Sequence, residues 1–249
     1  MFKLKNITIK IISWVGLFLT ILSCASVVKA EIHTSDKNSD YGLPTHRRDG
    51  GSRGVTDNCM TNAENLSLVA LIPEKVVGIN ASASPKLFFY VPKINSQKTL
   101  EFVLRNEQDE LMYEAFLTTE GEGIISVEVP TDVKSDLLKK DQNYHWYLSM
   151  ICNSQQRSKD IVVEGWIRQE AIDVAIAKEL NGADAIEQAE LYHERGFWYD
   201  ALSTLASQSL ADRPTVRAKW SELLESVGLK ELAAKPFVES QLIEANFVR

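Results

Sequence analysis

Cysteine and histidine are scarce in this sequence, and their scarcity limits the chemistry open to it. The 249 residues include three cysteines and four histidines. A Cys-x-x-Cys pair and a His-Glu-x-x-His motif are both missing, which excludes the standard zinc-site patterns. The phosphate-binding loop Gly-x-x-x-x-Gly-Lys is missing as well. We therefore predict no metal and no cofactor, and the sequence favours a role other than catalysis.

An excess of positive charge is also missing. The chain carries 34 acidic and 27 Lys or Arg side chains, a net charge of −7. Residues 1–30 hold four lysines and no acid, so the chain without them has a net charge of −11. Nucleic-acid binding normally needs a basic face. We therefore predict no nucleic-acid partner.

The beginning of the chain has the order of a secretory signal. Three lysines are the only charges in the first ten residues, and a mostly apolar run follows from Ile11 to Val28. The small residue Ala30 then precedes a polar stretch. This order predicts a signal peptide over residues 1–30, removed before Glu31, and export to the periplasm or beyond.

Two alternatives to a cleaved signal stay open. The apolar run is close to the minimum length of a membrane-spanning helix, so an uncleaved anchor is the first. The second is lipid attachment at Cys24, because Ile21-Leu22-Ser23-Cys24 loosely resembles a bacterial lipobox. With cleavage, we predict no transmembrane helix in the mature chain.

Cys59 and Cys152 are the cysteines that stay after cleavage. An even pair in an oxidising compartment predicts a disulfide between them. A loop of this length would stabilise the fold by ~4–5 kcal/mol in the chain-entropy account. The alternative is a pair of buried free thiols.

Composition divides the mature chain into three parts. Residues 31–58 hold too few apolar residues for a core, so we predict a disordered arm. Residues 59–169 contain short runs of β-branched and aromatic residues between turn sequences. The predicted strands are Leu66–Ile72, Lys86–Val91, Thr99–Arg105, Leu111–Thr118, Gly123–Val129, Tyr144–Cys152 and Asp160–Arg168. About seven short strands predict an antiparallel β-sandwich.

Residues 170–249 show three- and four-residue apolar spacing, which predicts a small helical region and an α+β fold class overall. The predicted helices are Ala171–Leu180, Asp184–Arg195, Trp198–Ser207, Thr215–Ser226 and a piece near Glu239–Phe247. Small and aromatic residues from Ala189 to Leu205 resemble one tetratricopeptide (TPR) hairpin. A second copy of the spacing is missing, so we predict a single TPR-like hairpin.

Three arginines form a basic cluster in the arm of this acidic chain. Arg47, Arg48 and Arg53 surround Gly50-Gly51. They are candidate residues for binding an anionic surface or an acidic partner. The alternative is an ordinary solvated linker.

Two predicted strands supply the other candidate binding residues. His145 lies in a strand, either as a hydrogen-bonded structural histidine or as a base beside a nucleophile. In Glu164-Gly165-Trp166, an acid and an aromatic residue flank a strand glycine. Such a glycine marks a bulge or a close backbone approach. We predict either a ligand patch with Glu164 and Trp166, or a bulge where the strand leads to the helices.

Several short motifs occur in a fixed order along the chain, namely Gly42-x-Pro44-x-x-Arg47-Arg48-x-Gly50-Gly51-x-Arg53-Gly54, Cys59, Leu68-x-Ala70-Leu71-x-Pro73, Phe89-Tyr90-Val91-Pro92, Glu101-Phe102-Val103-Leu104, Tyr144-x-Trp146, Ile151-Cys152, Val163-Glu164-Gly165-Trp166-Ile167, Gly196-x-Trp198-Tyr199-Asp200-Ala201-Leu202 and Trp220-x-x-Leu223-Leu224. Together they resemble a cyanobacterial family of secreted proteins known as domain of unknown function 928. The resemblance extends from about Gly42 to Phe237, and His46 departs from its Arg- and Gly-rich pattern. It implies a periplasmic or extracellular setting and no assigned activity.

Two classes of function follow from these observations. The first is an envelope or periplasmic protein that binds a protein partner through its sheet or its helical hairpin, or that serves a structural role. The second is a hydrolase or carbohydrate-active enzyme with an acid such as Glu107, Glu164 or Asp160 near His145. Binding of a glycan or small ligand on exposed aromatic residues is a third alternative. The sequence leaves the oligomeric state open.

Overall fold

The protein has an α+β fold in which β-strands predominate. The computed structural model describes residues 46–48, 67–74, 76–93, 99–119, 121–131, 137–208, 210 and 213–247. Within these residues the chain forms nine strands in two sheets, and four α-helices precede the last strand. The α+β class predicted from the sequence is therefore confirmed.

The larger sheet has six strands in the order β2-β8-β7-β4-β5-β9. Its strands are β2 Gly78–Asn80, β4 Thr99–Arg105, β5 Leu111–Thr119, β7 Asn143–Met150, β8 Ile161–Gln169 and β9 Ser240–Phe247. Buried and partly exposed residues alternate strictly along β4 and β8 because successive side chains point to opposite faces. One face of this sheet is therefore core, and the other is the outer face.

The smaller sheet has the order β1-β3-β6, with β1 Val69–Ala70, β3 Lys86–Val91 and β6 Gly123–Glu128. All but one residue of β3 are buried, since this strand lies between two neighbours and under the helices. The Phe89 ring meets the Trp146 ring of β7 edge to face at 5.4 Å. Residues of both sheets thus share one hydrophobic core.

Four helices follow β8: α1 Val174–Gly182, α2 Ala185–Glu194, α3 Trp198–Ala206 and α4 Pro214–Ser226. Local sequence explains their beginnings. Asp173 caps α1, Asp184 and Glu187 form a reciprocal capping box on α2, and Pro214 occupies the first turn of α4. Among the described residues, none of the helices has the length and apolar character needed to cross a bilayer.

The tyrosine and tryptophan at the start of α3 attach the helices to the sheets. Trp198 Nε1 donates to the Leu71 carbonyl at 2.7 Å, and the Tyr199 hydroxyl donates to the Trp166 carbonyl at 3.3 Å. The same hydroxyl accepts from Trp146 Nε1 at 3.1 Å. These buried bonds hold α3 against both sheets.

Most predicted strands and helices are confirmed to within a few residues, but three predictions are wrong. The helix predicted near Glu239–Phe247 is strand β9, which pairs antiparallel with β5. The short strand β2 was not predicted, and it pairs parallel with β8, so the large sheet is not purely antiparallel. The β7–β8 register is continuous, so Gly165 marks no bulge.

Gly165 instead marks a close approach of side chains. A Cβ atom on Gly165 would lie 2.5 Å from Trp146 Cζ2 and 2.9 Å from Ile72 Cδ1. Glycine leaves the room that the buried Trp146 ring occupies. The strand glycine is therefore a packing requirement of the core.

Candidate functional site

The three candidate residues from the predicted strands lie together on the outer face of the large sheet. His145 pairs in register with Trp166, and Glu164 pairs with the next outward residue of β7, Tyr147. The His145 and Trp166 rings stack, with centroids 4.3 Å apart and planes 13° apart. The structure thus brings His145, Glu164 and Trp166 into one cluster.

Two further residues join the cluster that the sequence did not indicate. The Tyr147 hydroxyl lies 2.8 Å from His145 Nδ1, and His46 Nδ1 contacts Glu164 Oε1. His145 Nε2 lies 3.1 Å from Glu164 Oε2, close to it but poorly aligned for a hydrogen bond. Because a carboxylate can only accept, this arrangement favours the His145 tautomer with its proton on Nε2. Tyr147 then donates to Nδ1.

Burial determines how His145 titrates. Removal from water lowers the pKa of His145, and the Glu164 carboxylate opposes this shift without overcoming it. The imidazole is therefore neutral at neutral pH, with Tyr147 and Trp166 against its ring. A neutral histidine beside one carboxylate can relay a proton, but it needs a substrate position next to it.

The other acids proposed for a hydrolytic site lie elsewhere. Glu107 Oε1 accepts the Asn143 amide at 3.2 Å, in the turn next to β7. Asp160 accepts the Cys152 amide at 3.2 Å and pairs with Arg157. It lies just before β8 begins, whereas Asn143 pairs with the far end of that strand. Among the described residues, no group of three or more acidic, His or Cys side chains could hold a metal ion. Since Glu107 and Asp160 lie elsewhere, Glu164 is the one acid of the three that lies beside His145.

The pH dependence of stability tests this description of His145. The unfolded chain takes up the His145 proton near pH 6.5, whereas the folded protein resists it. We therefore expect the His145 contribution to the free energy of unfolding to decline as the pH falls below 6.5. The variant His145→Gln should show a flatter pH dependence in urea unfolding. Identical pH slopes for the variant and the wild type would contradict this prediction.

Residues 46–48 form a short strap, our name for these three residues, across the edge of the large sheet. The His46 carbonyl accepts the Glu164 amide at 3.1 Å, and the Arg47 carbonyl accepts the Ala70 amide at 2.9 Å. The strap thus bridges β8 of one sheet and β1 of the other. These residues belong to the segment predicted as a disordered arm, whose remainder lies outside the described residues.

Two arginines of the predicted basic cluster make their contacts within the protein. The Arg47 side chain is buried, and its guanidinium donates to the Val227 and Ile72 carbonyls at 2.5 and 3.2 Å. It also pairs with Glu74 at 2.7 Å. Arg48 pairs with Glu231 at the surface. In the described structure, Arg47 and Arg48 therefore attach the strap to the end of α4 and the turn after it.

Several sequence predictions lie outside the described residues. They include the signal peptide, the third arginine Arg53 and Cys59, while Cys152 lies partly buried just after β7. The disulfide therefore stays a prediction. The arm also contains one literal Gly-x-Ser-x-Gly match, residues 50–54, in the same undescribed segment. That pattern indicates a nucleophile only between a strand and a helix.

The second candidate site is the outer edge of β9, which the sequence did not indicate. No described strand pairs with this edge. Leu242 and Ile243 are each 59% exposed, and Phe247 is 45% exposed. Leu242 and Phe247 share the face of the buried partners Leu117 and Tyr113. The row of apolar side chains on the core face of β5 therefore continues onto β9, where the side chains are exposed to solvent.

Comparison with known proteins gives a family and no activity. No curated protein matches the chain. The family model described as Domain of Unknown Function (DUF928) matches residues 48–237, well over half of the sequence. This match covers the strands from β1 to β8, all four helices and one strap residue, Arg48. The chain therefore belongs to the DUF928 family.

Proposed function

We propose that this protein is an exported binding module that takes up an extended segment of a partner protein at the outer edge of β9. The observation that carries the proposal is the apolar edge of that strand, which no described strand covers. An unpaired edge presents backbone N–H and C=O groups to an incoming strand. β9 lacks the lysine and proline residues that commonly protect such edges.

The shape of the two sheets supports this edge as the docking surface. The small sheet reaches only the beginning of β9, where the Ser240 hydroxyl donates to the Ser126 carbonyl at 3.3 Å. Beyond that point, Leu242 and Phe247 extend past the small sheet and stay exposed. An added strand could bury both side chains, and full burial of each is worth about 1.5–3 kcal/mol.

The charge of the edge defines the chemistry of the partner. β5 and β9 together contain Glu114 and Glu244 and no basic residue. Both acids lie on the outer face, since Glu114 pairs with Asn246 and Glu244 pairs with Phe116. A matching strand therefore presents Lys or Arg on its outer side and apolar residues on its inner side. An extended segment of alternating basic and apolar residues has this character.

The proposal also includes export of the protein, a two-sheet sandwich and a TPR-like hairpin. The signal-like residues 1–30 support export to the periplasm or beyond. The edge-to-face contact of Phe89 with Trp146 supports a two-sheet sandwich. Ala189 and Ala201, both fully buried, support a close TPR-like packing of α2 on α3.

A labelled peptide of alternating valine and lysine tests the proposal by fluorescence anisotropy. We expect saturable binding to the wild type, and a loss of at least about tenfold in affinity for the double variant Leu242→Lys, Phe247→Lys, since about 1.4 kcal/mol is sufficient for that change. The charge reversal Glu244→Lys should weaken binding of the basic peptide and favour one with glutamate in place of lysine.

Val174→Lys is the matched control for the peptide experiment. Val174 is an exposed apolar residue too, at 87%, but it lies on α1, away from β9. This variant should bind the peptide as the wild type does. No binding to the wild type, or equal binding to the double variant, would overturn the proposal.

A further inference from the structure

A small cavity lies between the loop after β2 and the helices α2 and α3. Its volume is about 320 Å³. Hydroxyl-bearing side chains form much of its wall, namely Ser82, Ser84, Tyr192, Tyr199, Ser203 and Thr204. Asp200 contributes a carboxylate and Lys86 an ammonium group. The wall is therefore of mixed character, with polar groups, two aromatic side chains and one acid.

Among the described residues, no nearby cation balances the negative charge of Asp200. Its carboxylate accepts two backbone amides, those of Ala81 at 2.7 Å and Ser82 at 3.3 Å. Within the part of the chain that the structure describes, no Lys, Arg or His lies at ion-pair distance from Asp200. Lys86 pairs instead with Glu128, at 3.5 Å. A partly buried acid with two neutral donors is thus incompletely compensated.

Titration of Asp200 agrees with this geometry. Burial raises the pKa of the Asp200 carboxyl to about 6, and its backbone hydrogen bonds offset only part of the shift. At neutral pH the group is ionised in surroundings that disfavour its charge. A bound cation would stabilise that charge.

We propose that this cavity binds the head group of a small organic cation, a primary ammonium or a guanidinium. Asp200 supplies the counter-charge, and the partly exposed Tyr192 ring supplies a π face that attracts a cation. The Tyr192 and Ser203 hydroxyls have no hydrogen-bond partner within the described residues, so they can accept the remaining N–H groups. The volume is at the small end of ligand cavities, which favours a compact ligand.

Calorimetric titration of the full chain with agmatine and cadaverine tests the proposal. We expect saturable binding of at least one, and none of the uncharged 1,5-pentanediol. The variant Asp200→Asn should lose at least about tenfold in affinity, the effect of about 1.4 kcal/mol. Glu225→Gln is the matched control, because it removes an exposed carboxylate on α4, and it should bind as the wild type does.

The pH dependence of wild-type binding is a second test that needs no variant. Affinity should fall about tenfold per pH unit as Asp200 takes up its proton below its pKa of about 6. Of the other groups in the wall, the Tyr192 and Tyr199 hydroxyls keep their protons over this range, because burial raises the pKa of both. An affinity that does not change below pH 6 would overturn the proposal.

The same head group occurs on free amines and on the lysine side chain of a partner protein. A capped tripeptide with a central lysine, titrated in parallel, distinguishes the two sources. Binding of agmatine or cadaverine alone identifies a free ligand, and binding of the tripeptide alone identifies a partner side chain. If the wild type binds none of the three cations, or binds the diol equally well, the proposal is wrong. The β9 proposal is unaffected by either result.

Discussion

Replacement of Gly165 by alanine is expected to lower the free energy of unfolding by about 3 kcal/mol, the upper part of the usual range for overpacking a core. The added Cβ atom would lie 2.5 Å from Trp146 Cζ2 and 2.9 Å from Ile72 Cδ1. Trp146 cannot easily move away, because it is fully buried and its Nε1 donates to the Tyr199 hydroxyl. Urea unfolding, with the slope compared between the variant and the wild type, measures the loss.

Gly182→Ala is the control for this substitution. Gly182 is the last residue of α1, and a Cβ atom there would have no neighbour within 4 Å. We expect this variant to change stability by less than about 1 kcal/mol, since alanine favours the helical conformation over glycine. A Gly165→Ala protein as stable as the wild type would contradict the packing role of Gly165.

Replacement of Arg47 by methionine is expected to cost about 2–4 kcal/mol of stability. The buried guanidinium donates to the Ile72 and Val227 carbonyls, and an acceptor left without its partner costs about 1–3 kcal/mol. Two features moderate the loss. Glu74 is exposed enough to regain water, and Arg47 Nε already lacks a hydrogen-bond partner.

Two measurements distinguish the effect of Arg47 from a general loss of charge. Arg48→Met is the matched control, because the Arg48–Glu231 pair is at the surface and such pairs contribute at most about 1 kcal/mol. Hydrogen exchange of the Ala70 and Glu164 amides reports on the strap directly, since both donate to strap carbonyls. Exchange should accelerate in Arg47→Met. Unchanged exchange together with unchanged stability would contradict the anchoring role of Arg47.

Short-range sequence patterns predicted most of the elements. β3 and β4 begin and end at their predicted residues. The apolar run of β3 and the alternation of apolar and polar residues in β4 are both properties of each strand alone. The beginning of α2 was predicted for a similar reason, since Asp184 and Glu187 satisfy the first amides of their own helix.

The last strand shows where local patterns are insufficient. In β9 the apolar residues Leu242, Ile243, Ala245 and Phe247 do not alternate, and this spacing suggested a helix. A register shift opposite Phe116 and Leu117 accounts for the irregular spacing. The free edge of β5, more than 100 residues earlier in the chain, determines the conformation. The open edge on which the proposed function depends was therefore not predictable from the sequence.

By itself, the sequence determined the α+β class, the family resemblance and the candidate residues His145, Glu164 and Trp166. Only the tertiary structure decided that these three residues meet, because their contact depends on the register of β7 against β8. His46 reaches Glu164 across 118 residues of chain, and Arg47 is buried by contacts with α4. Apolar periodicity and helix caps depend on neighbouring residues, whereas strand pairing and burial depend on which distant surfaces of the chain meet. Such long-range contacts are determined by the fold as a whole.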